Sequence, residues 1–285
     1  MYIILGATGH IGSSVVKGLV EKGQPVIAVT SNPDHVKQIE KMGATAALAD
    51  VAKTSTLTEL FRKGTRLYLL NPPAPVDRDP SEIENRNIDN IIESIQKASF
   101  EKIVGQSTYG AQPGKRLGDL DVLYNMEQKL QEASPGSSII RGAYYYSNWE
   151  MSVRSARNDG KVYSLYPPGF KLPMVAPADI AGLVVDELMS PSADNKLTCM
   201  EGPERYSPND VARAFSEALH KRVQAVAIRQ DDWVPFLQKA GFSPRAAESM
   251  ANMTKATVES AERFPENFER GETTLTEYIS QLVKK

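Results

Sequence analysis

The amino-acid sequence predicts an α/β fold, a doubly wound parallel sheet with helices on both faces. Apolar, β-prone segments alternate with segments of helical periodicity over most of the chain, as in parallel strands joined by crossover helices. Three glycines, at positions 6, 9 and 12, separate the first strand from the first helix. With 285 residues, of which 41% are apolar and 24% charged, the chain is long enough for one large domain or a domain with a lobe.

The first strand and helix, with the glycines between them, predict a site for a dinucleotide. The apolar run 2–5 forms the strand, and apolar residues at a spacing of three to four after Ile11 form the helix. Glycines at these places permit a tight strand exit, close approach of the backbone to a pyrophosphate, and packing of helix on strand. A turn without a ligand is the alternative, and the flanking elements favour the dinucleotide. The predicted contacts are Gly6, Thr8, Gly9, His10, Ile11 and Gly12.

The following elements continue the same alternation. Six further strands are predicted at 25–30, 46–49, 66–70, 102–105, 138–141 and 196–200, so we expect seven strands in the sheet. The helices between them are predicted at 33–42, in a segment ending at 63, and at 81–98, 120–133 and 179–189. Ligands of such sheets bind outside the carboxyl ends of the strands.

After about residue 202 the pattern changes to helices, predicted at 207–219, 231–240 and 244–261. These indicate a smaller, mainly helical C-terminal lobe. We therefore expect a Rossmann NAD(P)-binding domain over residues 1–150, with its sheet completed by about 175–200. A smaller substrate-binding lobe over 151–285 would be interleaved with that sheet.

Charge and cysteine content argue against several classes of protein. The formal net charge is −2 and no run of five like charges occurs, so we expect no direct binding to nucleic acid or to a membrane. The single cysteine, Cys199, forms no internal disulfide, and the three scattered histidines predict no metal site. Because the chain starts directly on a strand and has no run of membrane-spanning length, we expect a cytoplasmic protein.

Motifs along nearly the whole chain resemble the NmrA-like family of atypical short-chain dehydrogenases/reductases. Within it they resemble the type 2 NAD(P)H:quinone oxidoreductases and the triphenylmethane reductases. The motifs are Gly6-Ala-Thr-Gly-His-Ile-Gly12, Thr30-Ser-Asn-Pro33, Ala49-Asp50, Glu127-Gln-Lys-Leu130, Ile139-Ile-Arg-Gly142, Met174-Val-Ala-Pro-Ala-Asp-Ile-Ala181 and Glu201-Gly-Pro203. The resemblance implies a nicotinamide cofactor and a lobe that shapes the substrate cleft. The family includes both reductases and cofactor-sensing regulators, so the resemblance leaves the function open.

The resemblance also implies cofactor contacts after the next strands. Asp50 would lie near the adenine ring, although aspartate is also an ordinary turn residue. Ser31 stands where many relatives carry arginine, and without a carboxylate there a 2′-phosphate is tolerated, so we expect a modest preference for NADP(H) over NAD(H). The further predicted contacts are Ser31, Asn32, Asp50, Val51, Asn71, Pro72, Pro73 and Ser107.

The tyrosine–lysine pair common in short-chain dehydrogenases is missing. In that pair a lysine four residues after the tyrosine lowers the pKa of the phenol. Here Gln128 stands four residues after Tyr124, and Lys129 lies about 100° further round the helix. Alignment on the family puts Leu123 where many relatives carry lysine or histidine.

Without that pair the catalytic residues are unknown, and the candidates are Ser107, Tyr109 and Tyr124. Ser107 follows the fifth strand, where the superfamily places a serine facing the nicotinamide, and a simple strand-end hydroxyl is the alternative. Alcohol oxidation, and with it sugar-nucleotide epimerisation, is disfavoured. Hydride transfer to a quinone or aromatic dye needs less proton transfer, because the acceptor delocalises the charge and water supplies the proton.

An aromatic cluster after the sixth strand is the predicted substrate site. Such clusters usually belong to the core, but this one follows a strand end at the ligand edge. We predict substrate contacts from Tyr144, Tyr146, Asn148, Trp149 and, in the lobe, Trp233.

Two hypotheses of function follow. The first is an NAD(P)H-dependent oxidoreductase that transfers hydride to a planar, electron-poor acceptor such as a quinone or aromatic dye. The alternative is a non-catalytic, NAD(P)-sensing regulator with a protein partner, and a homodimer is compatible with both. A cavity at the nicotinamide position that admits an aromatic ring favours the enzyme, whereas a position sealed by the aromatic cluster favours the regulator.

Overall fold

The computed structural model describes residues 1–134, 136–260 and 264–284. Its main sheet has eight parallel strands: β1 (Tyr2–Ile4), β2 (Val26–Thr30), β3 (Thr45–Leu48), β4 (Arg66–Leu69), β5 (Lys102–Thr108), β6 (Ser138–Gly142), β10 (Leu197–Glu201) and β13 (Glu269–Arg270). Their order across the sheet is β13-β10-β6-β5-β4-β1-β2-β3. All seven predicted strands are present, and the two-residue edge strand β13 is the addition.

Helices cover both faces of this sheet, as the alternation along β1 requires. Tyr2 and Ile4 point into one apolar core and Ile3 into the other. The helices of the first core are α1 (His10–Glu21) and α7 (Pro177–Met189), with the short α2 (Val36–Lys41) beside them. Those of the second are α3 (Thr54–Phe61), α4 (Pro80–Gln96) and α5 (Asp119–Ala133). The predicted doubly wound α/β fold is confirmed.

The strand order reverses between β1 and β4, and this reversal positions the ligand site. From β1 the chain adds β2 and β3 on one side, and then β4, β5, β6 and β10 on the other. The connections therefore diverge at the carboxyl ends of β1 and β4, where they leave a crevice. The main sheet takes its last two strands, β10 and β13, from the part of the chain after residue 150.

The C-terminal lobe contains more β-structure than the sequence predicts. The additional strands are β7 (Tyr144–Tyr145), which precedes the predicted boundary at residue 150 but pairs with the lobe, and β8 (Lys161–Ser164), β9 (Leu172–Val175), β11 (Arg205–Tyr206) and β12 (Gln224–Ala227). They form two small sheets, β11-β9-β7 and β12-β8, which pack with the helices of the lobe around a third apolar core. These strands, two to four residues long, are too short for an alternating pattern to be recognised.

The three predicted helices of the lobe are present with shifted ends. They are α8 (Pro208–Leu219), α9 (Trp233–Lys239) and α10 (Pro244–Glu259), and the predicted last residue of α10, Ala261, lies outside the described residues. Two helices were not predicted, α6 (Val153–Asp159) and α11 (Leu275–Leu282). Within the described ranges, no helix has both the length and the apolar character needed to cross a lipid bilayer.

Candidate functional site

The turn between β1 and α1 leaves no room for side chains at its glycines. Gly6 has a φ of +64°, in the left-handed region that favours glycine. A Cβ added to Gly12 would lie 2.1 Å from the carbonyl oxygen of Gly6. Gly9 donates its N–H to the same oxygen at 3.0 Å. The turn is therefore held by its own backbone.

This turn presents free N–H groups at the start of α1. The helix begins at His10, where no described side chain caps it and the first turn carries no acidic residue. Its first N–H groups have no intrahelical acceptors and lie at the positive end of the helix dipole. Thr8 is half-buried and His10 exposed, whereas Ile11 packs into the core. The residues present therefore fit the diphosphate of a dinucleotide.

The residues predicted to contact the ribose and adenine follow β2 and β3. Ser31 and Asn32 are exposed, and Asp50 and Val51 are half-buried. Asn32 Oδ1 and Asp50 Oδ1 each accept a hydrogen bond at 2.9 Å from the backbone N–H two residues later. These bonds shape the turns, and leave the amide nitrogen of Asn32 and the hydroxyl of Ser31 for a ligand.

A cavity of about 630 Å³ opens at the carboxyl ends of β4, β5 and β6. This volume is typical of sites for small organic ligands. Residues after these strands form its floor, and Met253 and Thr257 of α10 lie on the opposite wall with Phe264. Of the predicted site residues, those that line it are His10, Asn71, Pro73, Tyr109, Tyr144 and Asn148.

Helix α10 is attached to two loops that border this cavity. At its start, the N–H of Ser243 donates to the carbonyl of Val76 at 2.8 Å, in the loop after β4. One turn further, Glu248 Oε2 pairs with Arg116 at 3.0 Å, in the loop after β5. Asn252 Nδ2 donates to the backbone carbonyl of Arg116 at 3.2 Å. The lobe thereby closes over the carboxyl ends of the strands.

Two polar groups of the cavity wall make no hydrogen bond within the described residues, Asn71 Oδ1 and the Tyr109 hydroxyl. Asn71 Nδ2 donates to the carbonyl of Glu84 at 3.3 Å, which fixes the amide. Burial and the nearby Glu201 raise the pKa of Tyr109, so its hydroxyl stays protonated. Because a buried polar group without a partner costs about 1–3 kcal/mol, Asn71 Oδ1 is suited to bind a ligand, whereas the Tyr109 hydroxyl lies close to the Glu201 carboxylate. Pro72 is half-buried beside them and stiffens the loop.

Ser107 is fully buried and does not line the cavity. Its hydroxyl donates to Glu127 Oε1 on α5. Glu127 in turn holds Arg141 through two hydrogen bonds of 2.8 and 2.6 Å, and this pairing raises the pKa of the Arg141 guanidinium. Arg141 lines the cavity. Ser107 therefore orients a cavity residue through Glu127.

Gln106 and Tyr145 place a hydroxyl donor in the cavity. Gln106 Oε1 accepts from the Tyr68 hydroxyl at 3.1 Å, and Gln106 Nε2 donates to the Tyr145 oxygen at 3.2 Å. The Tyr145 oxygen thus accepts one hydrogen bond, and its own hydroxyl hydrogen remains available for donation to a ligand. Burial and the nearby Asp119 raise the pKa of Tyr145, so it acts as a hydrogen-bond donor rather than an acid at neutral pH.

The predicted aromatic residues divide between cavity and core. Tyr144 lines the cavity and meets the edge of Tyr166, another lining residue, with ring centroids 5.7 Å apart. Tyr146 and Trp149 are buried in the lobe core. Trp233 is buried too, with Nε1 donating to the carbonyl of residue 228 at 2.9 Å. The structure therefore brings only Tyr144 and Asn148 of this predicted set to the cavity.

Among the residues that the structure describes, no lysine pairs with Tyr124, which lies half-buried on α5 near Arg141. Lys129 pairs instead with Asp89 on the exposed side of α4. Leu123, which precedes Tyr124 on the same helix, lines the cavity. The wall is apolar where a second acid–base group would stand.

Two carboxyl groups that the sequence analysis did not single out line the cavity, Glu84 on α4 and Asp119 at the start of α5. Burial and the nearby Asp119 raise the pKa of Glu84 to about 7, although a hydrogen bond from the Ala74 N–H opposes the shift. Enclosure by the cavity walls and the nearby Asp121 also raise the pKa of Asp119, whose side chain stays accessible to water. A signal for Glu84 exists, since it lies four residues before Ile88 on the apolar face of α4.

Comparison with known proteins agrees with this geometry. The NAD(P)H azoreductase of Xenophilus azovorans is 24% identical over 250 residues, covering 88% of this chain and 85% of that protein. An NADPH-dependent quinone oxidoreductase from Escherichia coli, complexed with NADPH, superimposes with a TM-score of 0.80 at 22% identity over 99% of each chain. The triphenylmethane reductase of Citrobacter sp. does so with a TM-score of 0.80 at 18% identity, over 100% of this chain and 99% of that one.

These likenesses to solved structures establish a Rossmann-like fold. The relatives are NAD(P)H-dependent oxidoreductases, and the Citrobacter enzyme has also been crystallised with NADP(H). The sequence profile of the NmrA-like family matches residues 2–279, and confirms the resemblance that the motifs indicated. Because that match spans almost the whole sequence, the chain belongs to the NmrA-like family.

Proposed function

We propose that this protein is an NAD(P)H-dependent reductase that transfers hydride to a planar, electron-poor aromatic acceptor. The observation that carries the proposal is the 630 Å³ cavity beside the glycine turn, with the aromatic side chains of Tyr144, Tyr145 and Tyr166 in its wall. An aromatic acceptor packs well against such rings. The azoreductase, quinone oxidoreductase and dye reductase among its relatives support the same class of acceptor.

In this proposal the residues of the chain mainly bind and orient. The N–H groups at the start of α1 bind the diphosphate. Asn71 Oδ1 accepts a hydrogen bond from the ligand at the carboxyl ends of β4 and β5. Tyr145 donates a hydrogen bond from its hydroxyl to a polar atom of the acceptor and keeps its proton. Helix α10 covers one side of the cavity, which reduces the access of water to the reacting atoms. A bound nicotinamide cofactor would supply the hydride.

The proposed cofactor preference is NADP(H) over NAD(H), by a modest factor. Ser31 and Asn32 are exposed after β2 and donate hydrogen bonds to a 2′-phosphate, while neither carries the carboxylate that would repel it. Asp34 lies two residues after Asn32. Its backbone N–H donates a hydrogen bond to the Asn32 side chain, which caps a short helical turn. NADPH should bind at least as tightly as NADH, as titration of cofactor fluorescence would show.

The test of the function is steady-state oxidation of NADPH with a panel of quinones, azo dyes and triphenylmethane dyes. We expect turnover above the uncatalysed background with at least one class. No turnover with any acceptor, together with tight and unequal binding of NADPH and NADP⁺, would overturn the proposal in favour of a cofactor-sensing regulator.

A glycine substitution tests whether the turn before α1 is the cofactor site. Gly12→Ala places a Cβ against the Gly6 carbonyl, so we expect NADPH affinity to fall about 100-fold, an effect of about 2.7 kcal/mol. The matched control is Gly182→Ala on α7, where a Cβ meets nothing within 4 Å. Equal NADPH affinity in both variants would place the cofactor elsewhere.

A further inference from the structure

Glu84 is a buried carboxyl on the wall of the cavity. Its side chain is 6% exposed and lies on the face of α4 that carries Ile88 and Ile91 into the core. Oε1 accepts a hydrogen bond from the Ala74 N–H at 2.8 Å. Among the described residues, Oε2 has no hydrogen-bond donor and the carboxyl has no cationic partner.

The groups around Glu84 favour its neutral, protonated form. Asp119 and Asp121, on the neighbouring helix α5, add negative charge. Arg141, the guanidinium of the cavity wall, is already paired with Glu127, and the Nε2 atom of His10 lies 3.6 Å from Glu150. The other titratable side chains that line the cavity are Tyr109, Tyr144, Tyr145 and Tyr166.

This environment is typical of a carboxylic acid that donates a proton at neutral pH. Burial without a cation stabilises the neutral acid, and its pKa of about 7 allows it to release and regain a proton near physiological pH. The tyrosines of the cavity do not meet this requirement, because burial raises their pKa values further above neutrality. Asp119, the other carboxyl of the cavity wall, is exposed to water, whereas Glu84 is buried. Glu84 is thus the group in the described cavity wall best matched to proton donation.

We propose that Glu84 donates the proton that completes reduction of the acceptor, and that the preferred acceptors are azo compounds and related uncharged, conjugated N=N or C=N systems. The inference rests on the proposed function. Hydride from NADPH adds to one atom of the double bond, and the π electron pair moves to the adjacent nitrogen. That nitrogen takes the proton of the Glu84 carboxyl as the O–H bond breaks. The products are the reduced acceptor, NADP⁺ and the Glu84 carboxylate, which regains a proton from water.

The acceptor class follows from the basicity of the atom that receives the electron pair. A quinone leaves a phenolate oxygen, which is only a weak base because the pKa of a phenol is about 10, so water can protonate it after the hydride has been transferred. A nitrogen anion is far more basic, so its formation requires a proton in the transition state. A positioned acid contributes about 10²–10⁴-fold to such a step.

The experiment compares Glu84→Gln with the matched control Glu82→Gln. The amide in E84Q keeps an oxygen that accepts from the Ala74 N–H but has no acidic proton, whereas Glu82 is 73% exposed on the same helix. With an azo dye at pH 6, we expect E84Q to lower kcat/KM about 100-fold, and with a quinone less than about tenfold. Wild-type and E82Q activity on the dye should fall as the pH rises through about 7, and the E84Q profile should be flat there.

A second measurement does not depend on turnover. Infrared spectroscopy of the wild-type protein should show a neutral carboxyl band at pH 6 that disappears through about pH 7 and is missing in E84Q. Asp119→Asn removes a neighbouring negative charge, so it should shift both this titration and the activity profile to lower pH. These readings remain available if E84Q does not fold.

The outcomes separate the two proposals. If the wild-type protein reduces the dye, and E84Q reduces it at the same rate and with the same pH profile, the role of Glu84 is overturned. The proposed function then stands. A Glu84 carboxyl already ionised at pH 6 would also overturn it. If the wild-type protein reduces none of the acceptors, the proposed function fails and the inference fails with it.

Discussion

The two ends of the main sheet differ in whether a buried carboxyl group has a cationic partner among the described residues. At the amino ends, Lys102 of β5 is fully buried and pairs with Glu187 of α7 at 2.8 Å. Glu187, 4% exposed, also accepts from the Ser138 hydroxyl at 2.7 Å. At the carboxyl ends, Glu84 is as well buried but has no cation among the described residues. Paired charge at one end serves the fold, whereas the unpaired acid at the other end lies where a ligand would bind.

This difference reverses the dependence of stability on pH. Although burial alone would raise the pKa of Glu187, its hydrogen bonds with Lys102 and Ser138 lower it. The stability that Glu187 contributes is therefore present above its ordinary pKa and lost as the pH falls. Burial raises the pKa of Glu84 to about 7, so the folded state binds the extra proton and stability falls as the pH rises towards 7.

The largest expected effect comes from breaking the paired end. Lys102→Met leaves Glu187 buried with only Ser138 and the more distant Lys196, at 3.4 Å, to compensate its charge. We expect a loss of about 3–5 kcal/mol in the free energy of unfolding, measured by urea denaturation at pH 7. NADPH affinity should not change. The control is Lys97→Met, at a half-exposed pair, and a loss in K102M no greater than in that control would contradict the comparison.

A smaller effect of opposite sign is expected at the unpaired end. At pH 8 the wild-type protein carries a buried Glu84 carboxylate, and Glu84→Gln removes that charge while keeping an acceptor for the Ala74 N–H. We expect the variant to be more stable than wild type by about 2 kcal/mol at pH 8 and nearly equal at pH 5. Denaturation curves at the two pH values check this. A constant difference at both would show that Glu84 does not titrate between them.

The smallest effect is expected at the exposed pair between Lys129 and Asp89. Their side chains are 40% and 59% exposed, so Lys129→Met should change the free energy of unfolding by less than about 1 kcal/mol. Turnover of NADPH should stay at the wild-type rate, because Lys129 points away from Tyr124 and the cavity. A tenfold loss of turnover would show that this lysine serves the site after all.

The sequence predicts the sheet and the glycine turn well because both depend on local patterns. Each predicted strand of the main sheet lies within a few residues of its observed place, and Gly6 and Gly12 are close enough in sequence to indicate one turn. The short strands of the lobe escape prediction, since two to four residues do not establish an alternation. Their pairing depends on contacts between distant parts of the chain.

The cavity is harder to predict because its wall comes from widely separated segments. Glu84, Tyr145 and Met253 meet there although they lie on α4, β7 and α10. Side-chain direction at a strand end is also not fixed by residue type. Ser107 faces Glu127 rather than the cavity, and Tyr146 turns into the lobe core at the start of a tight helical turn. Residue chemistry alone therefore places the site at the right edge but misjudges which side chains reach it.

The attachment of α10 to both loops limits how the width of the cavity can vary. Ser243 joins one border of the cavity to the helix, and Glu248 and Asn252 join the other. Helix α10 thus ties the loop after β4 to the loop after β5. Neither loop can move outward alone while these contacts hold. Substitutions at Met253 and Thr257 would change the shape of the cavity without altering the glycine turn between β1 and α1. Under the proposed function, such substitutions would change which acceptor is reduced and leave the cofactor site as it is.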